Sequence, residues 1–214
     1  MKTPIYAIPG LGNDSRILKP LQQHLPLTPI EWLQPLPAES ISQYAARMAE
    51  AIDHPRPILL GVSFGGVMAQ EIARLRPVSR LVLVSSIKPG DARPLFLRIS
   101  KRIPIYRLSK GKWRIRLLPL YAPQFGVRKP AEIQLLREIF SQFDDTYRMW
   151  AIEQLAHWKG HPIECPFLHI HGTRDRVIPH RGLSDLTTVA GGNHMMIYQQ
   201  PVRIANEIQT WLKR

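Results

Sequence analysis

Apolar residues in this chain fall into short continuous runs that alternate with segments of helical periodicity. Six such runs predict strands, at residues 5–8, 30–33, 58–62, 80–85, 166–171 and 186–190. Four segments outside them place apolar residues at the three- and four-residue spacing of helices, at 15–25, 40–52, 64 to about 75 and 201–212. Continuously apolar strands separated by helices are typical of a parallel sheet. We therefore predict an α/β fold, a mainly parallel sheet of about six strands with helices on both faces.

The strand pattern stops between about residues 87 and 164. Helical patterns replace it, the clearest at 132–143, which Pro130 opens, and at 146–158. We interpret residues 87–164 as a helical cap or lid. It is inserted into a core formed by residues 1–86 and 165–214.

A serine flanked by glycines, Gly61-Val62-Ser63-Phe64-Gly65, connects the third predicted strand to a helix rich in small residues. A serine on so sharp a turn has strained backbone geometry, and side chains two residues before and after it would collide. Glycine at both of those positions removes the collision. The segment therefore predicts a nucleophile elbow at Ser63, and a glycine-rich turn without catalytic meaning is the alternative.

A serine hydroxyl needs a general base, usually a histidine that is held by a carboxylate. His194 follows Gly191-Gly192-Asn193 just after the last predicted strand, where a loop can reach a serine above the sheet. The other seven histidines lie in less suitable places. Asp175, in the loop after the preceding strand, is the predicted carboxylate, and Asp185 is a weaker competitor.

Acyl transfer also needs hydrogen-bond donors for the developing oxyanion. The backbone N–H of Phe64, directly after the nucleophile, is one candidate. The N–H of Leu11 is the second, because Pro9-Gly10-Leu11-Gly12 follows the first strand and allows a close backbone approach.

With these motifs the chain resembles the α/β-hydrolase superfamily, as a small serine esterase or thioesterase with a helical cap. The resemblance rests on the elbow, on His171-Gly172-Thr173-Arg174-Asp175 and on Gly191-Gly192-Asn193-His194, in the family order of serine, acid and histidine. It implies that Ser63 is the nucleophile, His194 the base and Asp175 the orienting acid, with an acyl-enzyme that water releases.

Two departures from the family pattern carry structural expectations. The first strand begins at residue 5, so the antiparallel strands that often precede it in the family are expected to be absent. Asp175 and His194 are only 194 − 175 = 19 residues apart, so the helix between the last two strands is expected to be short or missing.

The positive charge is concentrated in the predicted cap. The chain has a formal net charge of +13, and residues 88–137 contain 13 Lys or Arg against Asp91 and Glu132. A basic surface interleaved with apolar residues can bind an anionic membrane or an acidic protein such as an acyl carrier. The alternative is a solvated lid whose arginine stems cover apolar surface. No nucleic-acid motif accompanies the charge, so no nucleic-acid partner is expected.

The remaining features bear on compartment and cofactors. Cys165 is the single cysteine, which excludes a disulfide within the chain and predicts a small buried apolar residue. No signal-peptide core and no run of 18 apolar residues occurs, so a soluble cytoplasmic protein is expected. His169 and His171 alternate without further ligands nearby, and we predict neither a metal nor a cofactor.

The sequence leaves three functions to compare. The first is a serine hydrolase that acts on a small-molecule acyl ester or thioester, favoured by the apolar side of the cap. The second is a lysophospholipase or acyl-carrier thioesterase recruited by the basic cap. The third, of a different class, is a non-catalytic ligand receptor or partner-binding module on the same fold.

Overall fold

The sheet of this protein has six strands in a single parallel array. The computed structural model describes residues 3–103, 111 and 113–214, of which residues 113 and 114 are described by their backbone alone. The strand order is β2-β1-β3-β4-β5-β6, and all five pairings are parallel in the described chain. The strands are β1 (Ile5–Ile8), β2 (Leu27–Pro29), β3 (Ile58–Val62), β4 (Arg80–Val84), β5 (Phe167–Gly172) and β6 (Leu186–Val189). The predicted fold class is confirmed: the described strands form one parallel six-stranded sheet with helices.

Helices fill the connections between the strands. They are α1 (Lys19–Gln22), α2 (Ile41–Ala49), α3 (Phe64–Leu75), α4 (Leu95–Arg102), α5 (Trp113–Arg116), α6 (Leu118–Tyr121), α7 (Pro130–Gln142), α8 (Asp145–His157), α9 (Met196–Gln199) and α10 (Pro201–Leu212). Within the described residues, no helix is both long enough and apolar enough to cross a bilayer. The cytoplasmic location stays a prediction.

The inner strands β1, β3 and β4 are largely apolar on both sides because both sides are covered. Ile5 and Ala7 of β1 face a cluster that includes Ile204 and Ile208 of α10. Their neighbours Tyr6 and Ile8 point the other way, into a cluster with residues of α2 and α3. Successive side chains of one strand thus pack into two different cores, and this burial on both faces explains the continuous apolar runs.

The predicted strand at residues 30–33 is wrong, because β2 lies three residues earlier. The N–H of Ile30 still bonds the carbonyl oxygen of Ala7, at 2.8 Å, but pairing then ends. The hydroxyl of Tyr44 bonds both the N–H and the carbonyl oxygen of Leu33, at 2.8 and 2.6 Å. The Tyr44 side chain therefore forms the hydrogen bonds that the backbone of Leu33 would otherwise form with a neighbouring strand.

The predicted helix at residues 15–25 is shorter than expected and has two parts. A 3₁₀ turn, Ser15–Leu18, precedes α1, and Asp14 caps it by accepting the N–H of Arg16 at 3.0 Å. Pro20 lies in the first turn of α1 and has no N–H to give to the preceding turn. The continuous α-helix therefore begins only at Lys19 and ends at Gln22.

In its described residues the connection between β4 and β5 carries five helices, α4 to α8, and no strand, as the pattern predicts. Its side chains join both cores: Leu118 and Leu136 pack into the α10 cluster, and Tyr147 and Leu155 into the other. The boundaries of a separate cap at residues 87 and 164 stay a prediction. Cys165, at the end of this connection, is half-buried rather than fully buried as predicted.

Candidate active site

The strand order creates a crevice between β1 and β3. The chain passes from β1 to β2 on one side and returns to β3 on the other. Loops at the carboxyl ends of β1 and β3 therefore diverge, which is where open α/β sheets bind their ligands. Pro9-Gly10-Leu11-Gly12 follows β1 and Ser63 follows β3, so two predicted site segments meet at this point.

The turn at Ser63 has strained geometry and leaves no room for side chains beside it. Ser63 has φ 53° and ψ −119°. A Cβ on Gly61 would overlap the backbone of Gly65, and a Cβ on Gly65 would overlap the carbonyl oxygens of Ile8 and Pro9. Both glycines are therefore required by backbone contacts, which lets α3 begin directly above β1 and β3.

The backbone of Ser63 is held by the neighbouring strand. Its N–H donates to the carbonyl oxygen of Val84 at 2.9 Å, and its carbonyl oxygen accepts from the hydroxyl of Ser86 at 2.7 Å and from the N–H of Gly66 at 2.9 Å. Such bonds offset a strained conformation that by itself costs on the order of 1–3 kcal/mol. Ser86 follows β4 and is buried, and the sequence offered no signal for this role.

The structure brings Ser63, His194 and Asp175 into one hydrogen-bonded chain. Nε2 of His194 lies 3.0 Å from Oγ of Ser63, and Nδ1 lies 2.8 Å from Oδ2 of Asp175. A carboxylate only accepts, so Nδ1 of the neutral imidazole carries the hydrogen and Nε2 faces the serine hydroxyl. The competing carboxylate of Asp185 is exposed and pairs with Lys88 at 3.1 Å.

Asp175 is buried but remains ionised because donors surround its carboxylate. Burial alone would raise the pKa of Asp175. The charge of His194 when protonated, hydrogen bonds from His194 and from the N–H of Ile178, and the nearby ring of His171 outweigh that effect, and the pKa lies well below its usual range. Oδ1 accepts the N–H groups of Val177 and Ile178 at 2.9 and 2.8 Å.

The loops that carry the acid and the histidine are joined by backbone hydrogen bonds. The N–H of Thr173 donates to Val189 at 3.0 Å, and that of Arg174 to Gly192 at 2.8 Å. Gly172 has no space for a Cβ because the carbonyl group of Gly192 lies against it. Residues 173–185 are all described and contain no helix, so Asp175 and His194 meet over the short spacing that the sequence shows.

His171 is a buried neighbour of the acid that sequence reasoning missed. Its Nε2 donates to the carbonyl oxygen of Ile178 at 2.7 Å and lies 3.4 Å from Oδ2 of Asp175. The alternation of His169 and His171 was visible in the sequence, but it was considered only as a possible pair of metal ligands, and no metal site was predicted. Nε2 of His169 instead donates to Ser86 at 3.1 Å.

The two predicted oxyanion donors lie on segments that pass the serine. Phe64 begins α3, and first-turn N–H groups have no acceptor within their helix. The loop carrying Leu11 runs so close that a Cβ on Gly10 would be 3.5 Å from Cβ of Ser63. Trp32 contacts both segments: its Nε1 donates to Gly10 at 3.1 Å, and its ring stacks on that of Phe64 at 5.3 Å.

A cavity of about 450 Å³ has Ser63 and His194 in its wall. Most of the wall is apolar, and the connection between β4 and β5 supplies a large part of it, including Phe96, Leu117, Phe125, Phe140 and Phe143. Arg148 adds one guanidinium. In the part of the chain that the structure describes, no three His, Cys, Asp or Glu side chains are grouped to hold a metal ion.

Fold and site together define an α/β protein with a strained serine, a histidine and a carboxylate at the carboxyl edge of a parallel sheet. The chain belongs to the alpha/beta hydrolase family, whose family model matches residues 5–207. A comparison with curated proteins finds no match.

Solved structures with this fold match nearly the whole chain at low identity. A thermophilic esterase from Thermogutta terrifontis is 17% identical with a TM-score of 0.74, over 100% of this chain and 90% of that one. A putative aryl esterase from Burkholderia cenocepacia is 16% identical with a TM-score of 0.77, over 99% and 90%. An enol-lactonase from Burkholderia xenovorans LB400 is 16% identical with a TM-score of 0.74, over 100% and 93%. At such identities the likeness shows the fold.

Proposed function

We propose that this hydrolase cleaves carboxylic esters or thioesters through a Ser63–His194–Asp175 triad and an acyl-enzyme intermediate. The observation that carries the proposal is the position of His194. One ring nitrogen lies at the hydroxyl of Ser63 and the other at the carboxylate of Asp175. Membership of the alpha/beta hydrolase family supports hydrolysis, and the esterase and enol-lactonase among the similar structures favour an ester bond.

The proton moves only on the Nε2 side of His194, whereas the hydrogen on Nδ1 stays in place. Nε2 takes the proton of Ser63 as Oγ attacks the carbonyl carbon, and returns it to the leaving alcohol or thiol. Water then enters, gives a proton to Nε2 and attacks the acyl carbon. The bond from that carbon to Oγ breaks, Nε2 returns the proton to Oγ, and the acid leaves. Asp175 stays ionised throughout and stabilises the imidazolium, in agreement with its lowered pKa.

The N–H groups of Leu11 and Phe64 are the proposed donors to the oxyanion. Both lie on backbone segments next to Ser63, and Phe64 lies at the positive end of α3. Because they are backbone groups held in place before substrate arrives, they need no reorganisation as charge develops. One such donor is typically worth about 10²–10³ in kcat.

The cavity favours an acyl ester or thioester with a largely apolar body. Its volume of about 450 Å³ lies within the range of sites for small organic molecules. Aromatic and aliphatic side chains make up most of its wall, so burial of hydrocarbon would contribute most of the binding free energy.

A fluorophosphonate label and a matched substrate series test the proposal. We expect the label to modify the wild-type protein and not Ser63→Ala, and we expect steady turnover of chromogenic esters that Ser63→Ala abolishes. Ser79→Ala is the matched control, because its hydroxyl bonds the carbonyl oxygen of Pro57 at the opposite edge of the sheet and should leave labelling in place. An oxygen ester and a thioester of the same acyl group then decide which bond is preferred.

Two results would contradict the proposal. Labelling that persists in Ser63→Ala would remove the assigned nucleophile. Binding of esters with labelling but without turnover would instead favour a ligand receptor on this fold.

A further inference from the structure

Helix α4 turns its apolar side chains toward solvent. Leu95 is 67% exposed, Phe96 42% and Ile99 42%, and Ile103 just after the helix is 60% exposed. Only Leu97 of this helix is buried, at 1%. An amphipathic helix in a globular protein normally packs its apolar face inward, so this orientation leaves a surface that needs another explanation.

The exposed apolar surface continues into the cavity at Ser63. Phe96 and Leu117 both line that cavity while remaining 42% and 39% exposed. Leu120, on α6, is 77% exposed. We call the exposed residues Leu95, Phe96, Ile99, Ile103, Leu117 and Leu120 the apolar rim. Whatever covers this rim therefore also meets the opening through which an apolar substrate reaches the serine.

Cations accompany the apolar rim, and the stretch of chain that carries the rim contains no acidic residue. Arg98, Lys101 and Arg102 are exposed on α4 itself. Residues 92–131 contain no Asp or Glu, although they contain 11 Lys or Arg. A covering partner must therefore be apolar at its centre and negatively charged around it.

We propose that the apolar rim docks on an anionic lipid bilayer. At a bilayer surface, protruding Leu, Ile and Phe side chains enter the acyl boundary while neighbouring Lys and Arg contact anionic headgroups. A bilayer accepts separate protruding side chains of any shape, whereas a folded acidic protein needs a matching surface. Docking would place the cavity opening at the lipid boundary, so that an apolar ester passes from the membrane to Ser63. This last step rests on the proposed function, and docking itself does not.

Sedimentation with vesicles tests docking independently of catalysis. The Ser63→Ala protein is mixed with vesicles of phosphatidylcholine alone or phosphatidylcholine with phosphatidylglycerol, so that no lipid is consumed. We expect binding to the anionic vesicles, reduced as salt rises from about 0.1 M to about 1 M and the screening length falls from about 10 Å to about 3 Å. Equal binding to neutral vesicles, or none to either, overturns the proposal whether or not the protein hydrolyses esters.

Paired variants locate the surface. Lys101→Gln with Arg102→Gln should lower the partition coefficient about 25-fold, because each cation near the surface contributes about fivefold. Leu95→Ser with Ile99→Ser should lower it at least about tenfold. Leu75→Ser with Val202→Ser removes two apolar side chains of comparable exposure, 42% and 54%, from α3 and α10, and Lys213→Gln removes an exposed cation just after α10.

The controls also decide between occupants. The three control substitutions should leave vesicle binding within about twofold, since none belongs to the apolar rim or to α4. Equal losses in the control and rim variants would overturn the proposal. Binding of an acidic acyl carrier through α4, without binding to anionic vesicles, would also overturn the proposal.

Discussion

Nε2 of Gln199 donates to Oε2 of Glu132 at 2.7 Å, and this bond joins α7 to α9, the helix that follows the loop with the catalytic candidate His194. Oε1 of the same glutamine accepts from Nδ2 of Asn193 at 2.6 Å. The carbonyl oxygen of Gly126 lies within 3.4 Å of both amide nitrogens. A Cβ on Gly126 would overlap the side chain of Asn193, so the contact is close. The residue before the histidine is thus positioned by the connection between β4 and β5.

Removing the carboxylate from this network should destabilise the protein. Glu132→Ala is expected to lower the free energy of unfolding by about 2 kcal/mol, because Gln199 loses a charged acceptor whose side chain is only 13% exposed. Glu138→Ala, on the same helix but 52% exposed, should cost less than about 0.5 kcal/mol. Urea unfolding of both variants measures the difference, and equal costs would show that the network contributes nothing.

The turn at Ser63 makes a steric prediction about glycine. Gly65→Ala should lower the free energy of unfolding by about 3 kcal/mol, because its Cβ would overlap backbone oxygens that cannot rotate away. Gly90→Ala is the comparison: Gly90 has φ +86° but open space around it, so only the backbone penalty of about 1 kcal/mol applies. Thermal or urea unfolding measures both, and a smaller loss in Gly65→Ala than in Gly90→Ala would contradict the predicted overlap.

His169 should make the protein lose stability in weak acid. Burial, followed by the charge of His171, lowers the pKa of His169 to about 4. Between about pH 6.5 and pH 4 the unfolded chain takes up a proton that the folded state refuses, so stability falls as the pH falls. The loss from this group is about 3 kcal/mol over that range, at about 1.4 kcal/mol per pKa unit.

A pH series of urea unfolding for wild type and His169→Gln measures this contribution. The variant should be less sensitive to pH over that range, whereas His24→Gln, at an exposed position, should follow the wild type. Identical slopes for wild type and His169→Gln would assign the acid sensitivity to other groups.

Asp175 and Asp185 provide a paired test of the acid in the proposed triad. Asp175→Asn should reduce kcat for ester hydrolysis by about 10⁴, because an amide no longer fixes the hydrogen on Nδ1 of His194. Asp185→Asn should change kcat less than about twofold, since that side chain is 69% exposed and pairs with Lys88. Steady-state kinetics on one chromogenic ester is sufficient, and the reverse order of effects would replace Asp175 as the acid.

The pattern of apolar residues and glycines predicted the parts of this structure that depend on residues close together in the chain. The apolar runs predicted five strands within one or two residues, and glycines predicted the turn at Ser63. The loops after β5 and β6 were identified because parallel strands end at the same edge of the sheet. His194 and Asp175 follow those two strands directly, so chain order alone brought them to Ser63.

Contacts between distant segments were not predictable in this way. The strand at residues 30–33 looked apolar enough, but Tyr44, eleven residues after Leu33, takes the backbone groups of that residue. Glu132 and Gln199 are 67 residues apart, and neither position has a local signature. The exposed apolar face of α4 was also unexpected, because periodicity shows that a helix has two faces and not which one is covered.

The contacts of Trp32 predict which positions should change together in related sequences. Its indole bonds the carbonyl oxygen of Gly10 and stacks on Phe64, so one side chain sets the spacing between the segments that carry both proposed oxyanion donors. A smaller residue at position 32 would disturb both segments together unless position 64 enlarged in compensation. Close homologues of this chain should therefore show substitutions at positions 32 and 64 as correlated pairs, inherited together even though neither side chain takes part in the proposed chemistry.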